Sequence, residues 1–333
     1  SYPTLNSTLY TGPITLTRSA RLQAKTFDTS NQGDFVPSTI ASGTFIALDP
    51  ELKEFSSDIP LIVLDTMWQV LPHPRATTLA GMNVILVDVS EATGRARLDG
   101  GTVDYLGRGG ARHWGDFDDM EAQRKPNMVL ETWGPTGTGM NDDYQACLLG
   151  LNADSDWFLH APYNYDRALI RNQLAYELTD EMGMWAPDWR HVEVYLNRDR
   201  DGVVSSADYA GVYVLMEAVE QGQARLDIAG GIIPWGNADR DPPEMSGGYI
   251  WKIDRSNPTS PGFTAGDQDL QWVYPRDPRT PIEDDIEENQ NATDEQEQWV
   301  VDYLSTQGHT ILDTDEDFSV DIKSKMDYTN FFS

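Results

Sequence analysis

The sequence predicts an α+β fold: an antiparallel sheet with flanking helices, preceded by a few separate strands. Three observations carry that expectation. Short β-rich runs bounded by Gly, Pro, Asn and Asp recur between residues 9 and 216. Two stretches, opening near Asp166 and Asp294, repeat apolar residues at helical spacing. Hydrophobic residues make up 39 % of the 333, with ten Trp, so the chain has ample apolar material for a core.

In chain order, residues 9–16 and 19–27 read as strands, the second with apolar side chains at alternate positions, and 1–48 is a partial module or linker. Two or three strands cannot bury a face by themselves, so the main domain is expected over 49–333. The run Ile59-Pro60-Leu61-Ile62-Val63-Leu64-Asp65 is continuously apolar, as in a strand buried on both faces. Residues 81–88 repeat that pattern, 100–115 are glycine-rich, and 128–131 read as another strand. Asp166 is placed to cap a helix whose stripe is Ile170, Leu174, Leu178 and Met182, ending at Gly183. Residues 192–196 and 211–216 alternate as two strands joined by a polar loop, and a second helix carries Trp299, Val300, Tyr303 and Leu304. The acidic run 283–288 reads as a solvated surface, and 313–317 as an exposed turn.

Composition excludes several classes of function. Lys+Arg number 24 against 54 Asp+Glu, a net charge of −30. Phosphate backbones need clustered cations, so nucleic acid is excluded as a partner. No run reaches the roughly 18–20 apolar residues that cross a bilayer as a helix, so no membrane insertion is expected. Only six of the cations are Lys, and Cys147 is alone, so no disulfide forms within the chain. An acidic, lysine-poor surface suits an extracellular or cell-surface setting, although acidic cytosolic proteins share it.

The most specific local motif is a twelve-residue calcium loop. Oxygen side chains occupy its first, third, fifth, ninth and twelfth places (Asn197, Asp199, Asp201, Ser205 and Asp208). Gly202 is sixth, Val203 offers its carbonyl, and Val204 is the aliphatic eighth residue. A hard cation takes six to eight oxygens, and alternate side chains of a tight loop point inward. Asn197 replaces the usual Asp, and Asp208 the usual Glu, as in dockerin-type loops. Such an ion would staple a hairpin rather than do chemistry; an Asp-rich turn that binds nothing is the alternative.

The segment "SDWFLHAPYNYDRALIRNQLAYEL" (155–178) resembles the hallmark of the CotH kinase family. "RHVEVYLN" with "YAGVYVLMEAVE", then "GGYIWKID", then "TDEQEQWVVDYL", follow in that family's order. "YLGRGGARH" and "QRKPNMVLE" stand where the family has an Arg-Gly turn and a Lys-bearing strand. The resemblance spans about 57–333 and treats the calcium loop as an insertion. It implies a kinase-like fold and ATP- and Mg2+-dependent phosphorylation of surface or coat proteins. It further implies Lys125 and Arg108 as phosphate contacts, Glu217 as a partner of Lys125 or the nucleotide, and Arg171 and Asn172 as cleft residues. A surface lysine, a glycine-rich hairpin, a plain strand glutamate and a helix-to-sheet tie are the bland versions of these roles.

The family's two catalytic Asp residues follow the region matching "VDIKSKMDYTNFF" (320–332), and nothing here matches them. No catalytic residue is therefore assigned, and the chain is expected to be a piece truncated before its catalytic part. A non-catalytic, calcium-stabilised binding module of an extracellular protein is the competing expectation. The segment "STLYTGPITLTRSARLQAKTF" (7–27) resembles the last strands of a chitobiase-type C-terminal β-sandwich. The protein substrate and the oligomeric state are not encoded in any motif.

Overall fold

A computed structural model describes residues 2–29, 36–74, 76–115, 125–135, 142–164, 166–199, 201–228, 248–252, 262–265, 268–274 and 294–308. The chain divides into two compact units, Ser1–Glu181 with Ala186–Ala218, and Met182–Trp185 with Val219–Ser333.

In the first unit, β1 (Ala20–Ala24) and β2 (Ala41–Phe45) form a two-stranded antiparallel ladder. The short pair β3 (Ser56–Ser57) and β6 (Ala96–Arg97) forms another. The main sheet uses β4 (Leu61–Asp65), β5 (Ala80–Asp88), β7 (Thr102–His113), β8 (Met128–Trp133), β9 (Asp156–His160), β10 (Trp189–Asn197) and β11 (Tyr209–Glu217). These close into a barrel in the order β10-β11-β9-β8-β7-β5-β4. Every pair is antiparallel except the closing one, where β4 runs parallel to β10 with Asp65 beside Asn197. The antiparallel sheet expected from the sequence is thus present but closed, so its strands leave few open edges.

Alternation fills the barrel. Ile62 and Leu64, Met82, Val84 and Leu86, Leu130, Trp157 and Leu159, Val192 and Val194, and Tyr213 and Leu215 pack into one interior cluster. Each large side chain so buried contributes about 1.5–3 kcal/mol relative to exposure. The outward face of β4 is also covered: Leu61 and Val63 join Leu52, Val87, Tyr195 and Val204 in a second cluster. Burial on both faces is why the 61–65 run is apolar without alternation.

Three expectations are corrected, the first being that residues 9–16, read as a strand, belong to no ladder. The Gly-Arg-Gly-Gly stretch is no turn; it lies within the twelve-residue strand β7. Its glycines answer to crowding, since a Cβ on Gly109 would fall 2.6 Å from the Glu131 carbonyl oxygen, and one on Gly110 would fall 2.1 Å from the Trp133 ring. The helix α1 (Arg171–Glu181) begins five residues after Asp166, with Leu169 left-handed (φ 59°) before it. Its stripe is turned outward: Leu174 is 57 % exposed, whereas Gln173 is buried. Gly183, at φ 76°, does end the helix.

The second unit holds β12 (Ile250–Lys252), β13 (Phe263–Ala265) and β14 (Gln268–Tyr274), ordered β12-β14-β13, and α2 (Asp294–Gly308). Val300 and Leu304, one helical turn apart, pack with Phe263, Leu270 and Trp272. The 283–288 run, residues 313–317 and the "VDIKSKMDYTNFF" segment lie outside the described residues. No described helix is long and apolar enough to cross a membrane.

Candidate functional site

Lys125 stands three residues before β8, ahead of Pro126, which biases it toward extended backbone. Its Nζ donates to the Val212 carbonyl oxygen at 2.6 Å. The ammonium lies 5.2 Å from the Tyr213 ring centroid and 5.8 Å from that of Tyr163. Gly211 (φ 108°) leaves the strand surface bare where the lysine stem lies, 3.5 Å from where a Cβ would stand. Burial lowers the Lys125 pKa from its ordinary value. Tyr213 is fully buried and its phenol is pushed up for the same reason.

The same corner gathers polar groups from β8, β9 and α1. The Asn127 Oδ1 accepts the Ala161 N–H at 2.6 Å and sits 3.2 Å from His160 Nδ1. His160 Nε2 is 3.5 Å from Asn172 Nδ2, and burial lowers the imidazole pKa against the pull of Asp166. The Arg167 guanidinium lies 5.9 Å from the Tyr163 ring. Asp166 accepts the N–H groups of Ala168, Ile170 and Arg171, and the Arg171 bond foremost holds its carboxyl below the usual range. Arg171 Nε is 3.7 Å from the same carboxylate. Lys125 and Arg167 thus share the Tyr163 ring at this corner, while Arg171 is paired with Asp166 at the helix start.

Arg108 is elsewhere. It is registered with Trp133, whereas His113 is registered with Met128, so the length of β8, roughly 17 Å at 3.4 Å per residue, separates the two ends. Arg108 is 5 % exposed. Its Nη1 donates to the Gly134 carbonyl at 2.8 Å and to Asp142 Oδ2 at 2.9 Å, and the Trp133 ring lies 5.2 Å away. Burial lowers its pKa, with Asp142 opposing. Glu217 ends β11, five residues beyond Val212, and is 1 % exposed. It accepts Asn152 N–H and Nδ2 at 3.1 Å each and Asp188 N–H at 3.3 Å. Of the five expected nucleotide residues, the fold links Asn172 to the Lys125 corner through His160 and Asn127, sets Arg171 against Asp166, and places Arg108 and Glu217 away from it.

Sequence reasoning missed Tyr163, Arg167, His160, Asn127 and Tyr213. Three of these lie within the 155–178 block, so the block itself held the signal. Tyr213 and Asn127 reach the corner only through strand register.

The 197–208 loop joins β10 to β11. Asp199 Oδ1 accepts the Asp201 N–H at 3.1 Å, and Asp201 Oδ1 accepts the Val203 N–H at 2.7 Å. Gly202 is left-handed at φ 75°. Val204 is fully buried against Leu61 and Val63 and is tied to Ala47 and Asp49 by backbone bonds. Ser205 caps the turn Ser206–Asp208, and Asp208 Oδ2 returns to the Ser205 N–H at 2.8 Å. Burial raises the Asp208 pKa, and the charges of Asp199 and Asp201 add to the effect. The sixth-place glycine and the buried eighth residue have the conformations that the motif requires.

A closed, strand-rich barrel domain with a half-buried lysine held between two tyrosines is an α+β scaffold. The family model described as CotH kinase protein matches residues 123–333, and the chain belongs to that family. The match opens two residues before Lys125. It takes in Glu217, Arg171, Asn172 and the 197–208 loop, and it leaves out Arg108 and the strands of residues 1–48. No curated protein matches the chain.

Proposed function

We propose that this CotH domain is an ATP-binding phosphotransferase of a secreted modular protein, acting on surface or coat proteins, with the Lys125 corner receiving the nucleotide phosphates. The observation that carries the reading is the state of Lys125. It is half-buried between Tyr213 and Tyr163 and held by one carbonyl oxygen, and among the described residues no carboxylate pairs with it. A cation so placed keeps its charge for an incoming anion. Arg167 stands at the same tyrosine, and Tyr163 offers a half-exposed ring beside it. These donors suit a triphosphate. They do not suit Mg2+, because Asp166 is committed to the helix start, so the ion and the catalytic Asp have no assigned ligands here.

The full chain should melt at a higher temperature with ATP and Mg2+ than with Mg2+ alone, and Lys125→Met should remove that increment. No increment, or one that survives Lys125→Met, would overturn the reading. A second reading, a non-catalytic calcium-stabilised module, is favoured by the internal commitment of Arg108 and Glu217. It expects a response to Ca2+ and none to nucleotide.

A further inference from the structure

The 197–208 loop offers six oxygen donors, the low end of the six to eight that Ca2+ takes. Asp208 ends it with a carboxylate one methylene shorter than Glu, and Asp208 Oδ2 is already engaged by the Ser205 N–H and Oγ. An oxygen from outside the loop would raise that number. The structure holds such an atom. Asp65 is 2 % exposed; its Oδ1 accepts the Met67 N–H at 3.0 Å, while its Oδ2 is buried with no hydrogen-bond partner. Asn197, the first residue of the loop, is equally buried, and its Nδ2 also lacks a partner. An orphaned carboxylate oxygen this deep is costly, at about 1–3 kcal/mol, and calls for a missing cation or donor; the Asn197 Nδ2 is itself a donor, and only its Oδ1 can face an ion.

Register aims both at the same place. β4 and β10 run parallel with Asn197 beside Asp65. Along β4, Leu61 and Val63 face the cluster that contains Val204, the eighth residue of the loop. Two residues on, the pleat turns Asp65 to that same face, beside Asn197, and Tyr195 and Asn197 follow the same alternation on β10. The backbone around Asp65 is held hard. Thr66 N–H and Oγ1 both donate to the Asn197 carbonyl, and Met67 and Trp68 follow in the left-handed region at φ 49° and 68°. Consecutive bulky residues there are strained, and such strain collects at ligand sites.

We propose that the 197–208 loop binds one Ca2+ and that Asp65 Oδ2, delivered from the neighbouring strand, completes its shell. Asn197, Asp199, Asp201, the Val203 carbonyl, Ser205 and Asp208 supply the rest. Among the described residues the loop's carboxylates, with or without Asp65, do not form a group of three with oxygens all within 4.8 Å, so uptake must draw them together. The ion then links β4 to the β10–β11 hairpin, which makes it a clamp on the one parallel seam of the barrel. This proposal is independent of the nucleotide reading.

The test uses the full chain, stripped with EDTA and titrated with Ca2+. Tb3+ serves as a luminescent probe, excited through Tyr195 and Tyr209, which pack beside Val204. Saturable Tb3+ emission displaced by Ca2+ is expected, lost in Asp201→Ala and weakened at least tenfold in Asp65→Asn. In EDTA, Asp65→Asn should melt no lower than the parent, because an isosteric amide replaces a buried, unpaired carboxylate oxygen. Absence of Ca2+ binding, or unchanged affinity in Asp65→Asn, would overturn the proposal. Equal destabilisation of Asp65→Asn with and without Ca2+ would also do so, since it marks a purely structural role.

Discussion

Arg108 and Lys125 are cations at opposite ends of β8, one inside the barrel wall's own bonding and the other beside an open corner. Arg108 has a carboxylate, a carbonyl and a tryptophan face to itself. Lys125 has a carbonyl and two rings but, among the described residues, no paired carboxylate. Both lose some basicity to burial. A cation whose counter-charge is built in serves stability, and one without it is disposed to bind. The sequence weighed the two alike, because each is a scarce cation beside glycine or proline; only their partners tell them apart.

That contrast can be broken most forcefully at Arg108. Arg108→Met strands Asp142 and the Gly134 carbonyl, and should cost about 2–4 kcal/mol in urea unfolding, below the full cost of a buried pair because Asp142 is 33 % exposed. Any nucleotide response should persist. If Arg108→Met abolished that response while leaving stability intact, the two roles would be reversed.

A middle-sized effect is expected at Glu131, which bonds the Trp133 that covers Arg108. Burial pushes its carboxyl up to about 7. The folded state therefore holds this proton more tightly than the unfolded chain, so stability falls as pH rises from about 4.5 to about 7. Glu131→Gln should gain about 1–2 kcal/mol at pH 8 and nothing at pH 4, measured by unfolding at both pH values. A gain that did not depend on pH would place the effect in packing rather than charge.

The smallest stability change belongs to Lys125→Met. Only one hydrogen bond is lost and the stem is replaced, so the cost should stay within about 1 kcal/mol. A loss several times larger would show that Lys125, like Arg108, is structural, and would remove the distinction between the two ends of β8.

Much of this was legible beforehand, though unevenly. The 61–65 and 81–88 strands, the β10–β11 hairpin and α2 followed from local pattern. The left-handed Gly202 and the buried Val204 followed from the calcium motif, because such loops are local in sequence. The outward turn of Leu174 and Leu178 was not legible: periodicity defines a stripe but not what it faces. Nor was the 105–113 segment, where glycines read as a turn until Trp133 and Val84 were seen to occupy the space their side chains would need.

The sequence by itself determined the strand-rich α+β class, the family block at 155–178 and the calcium-loop pattern, since each depends on residues within a few positions of one another. The tertiary structure alone decided that the sheet closes on the parallel β4–β10 seam, that among the described residues Arg108 has a carboxylate partner and Lys125 has none, and that Asp65 is registered beside Asn197, 132 residues later in the chain. Those outcomes depend on register and on the pleat carrying distant side chains to one face, and pairing between strands so far apart leaves no mark in local composition.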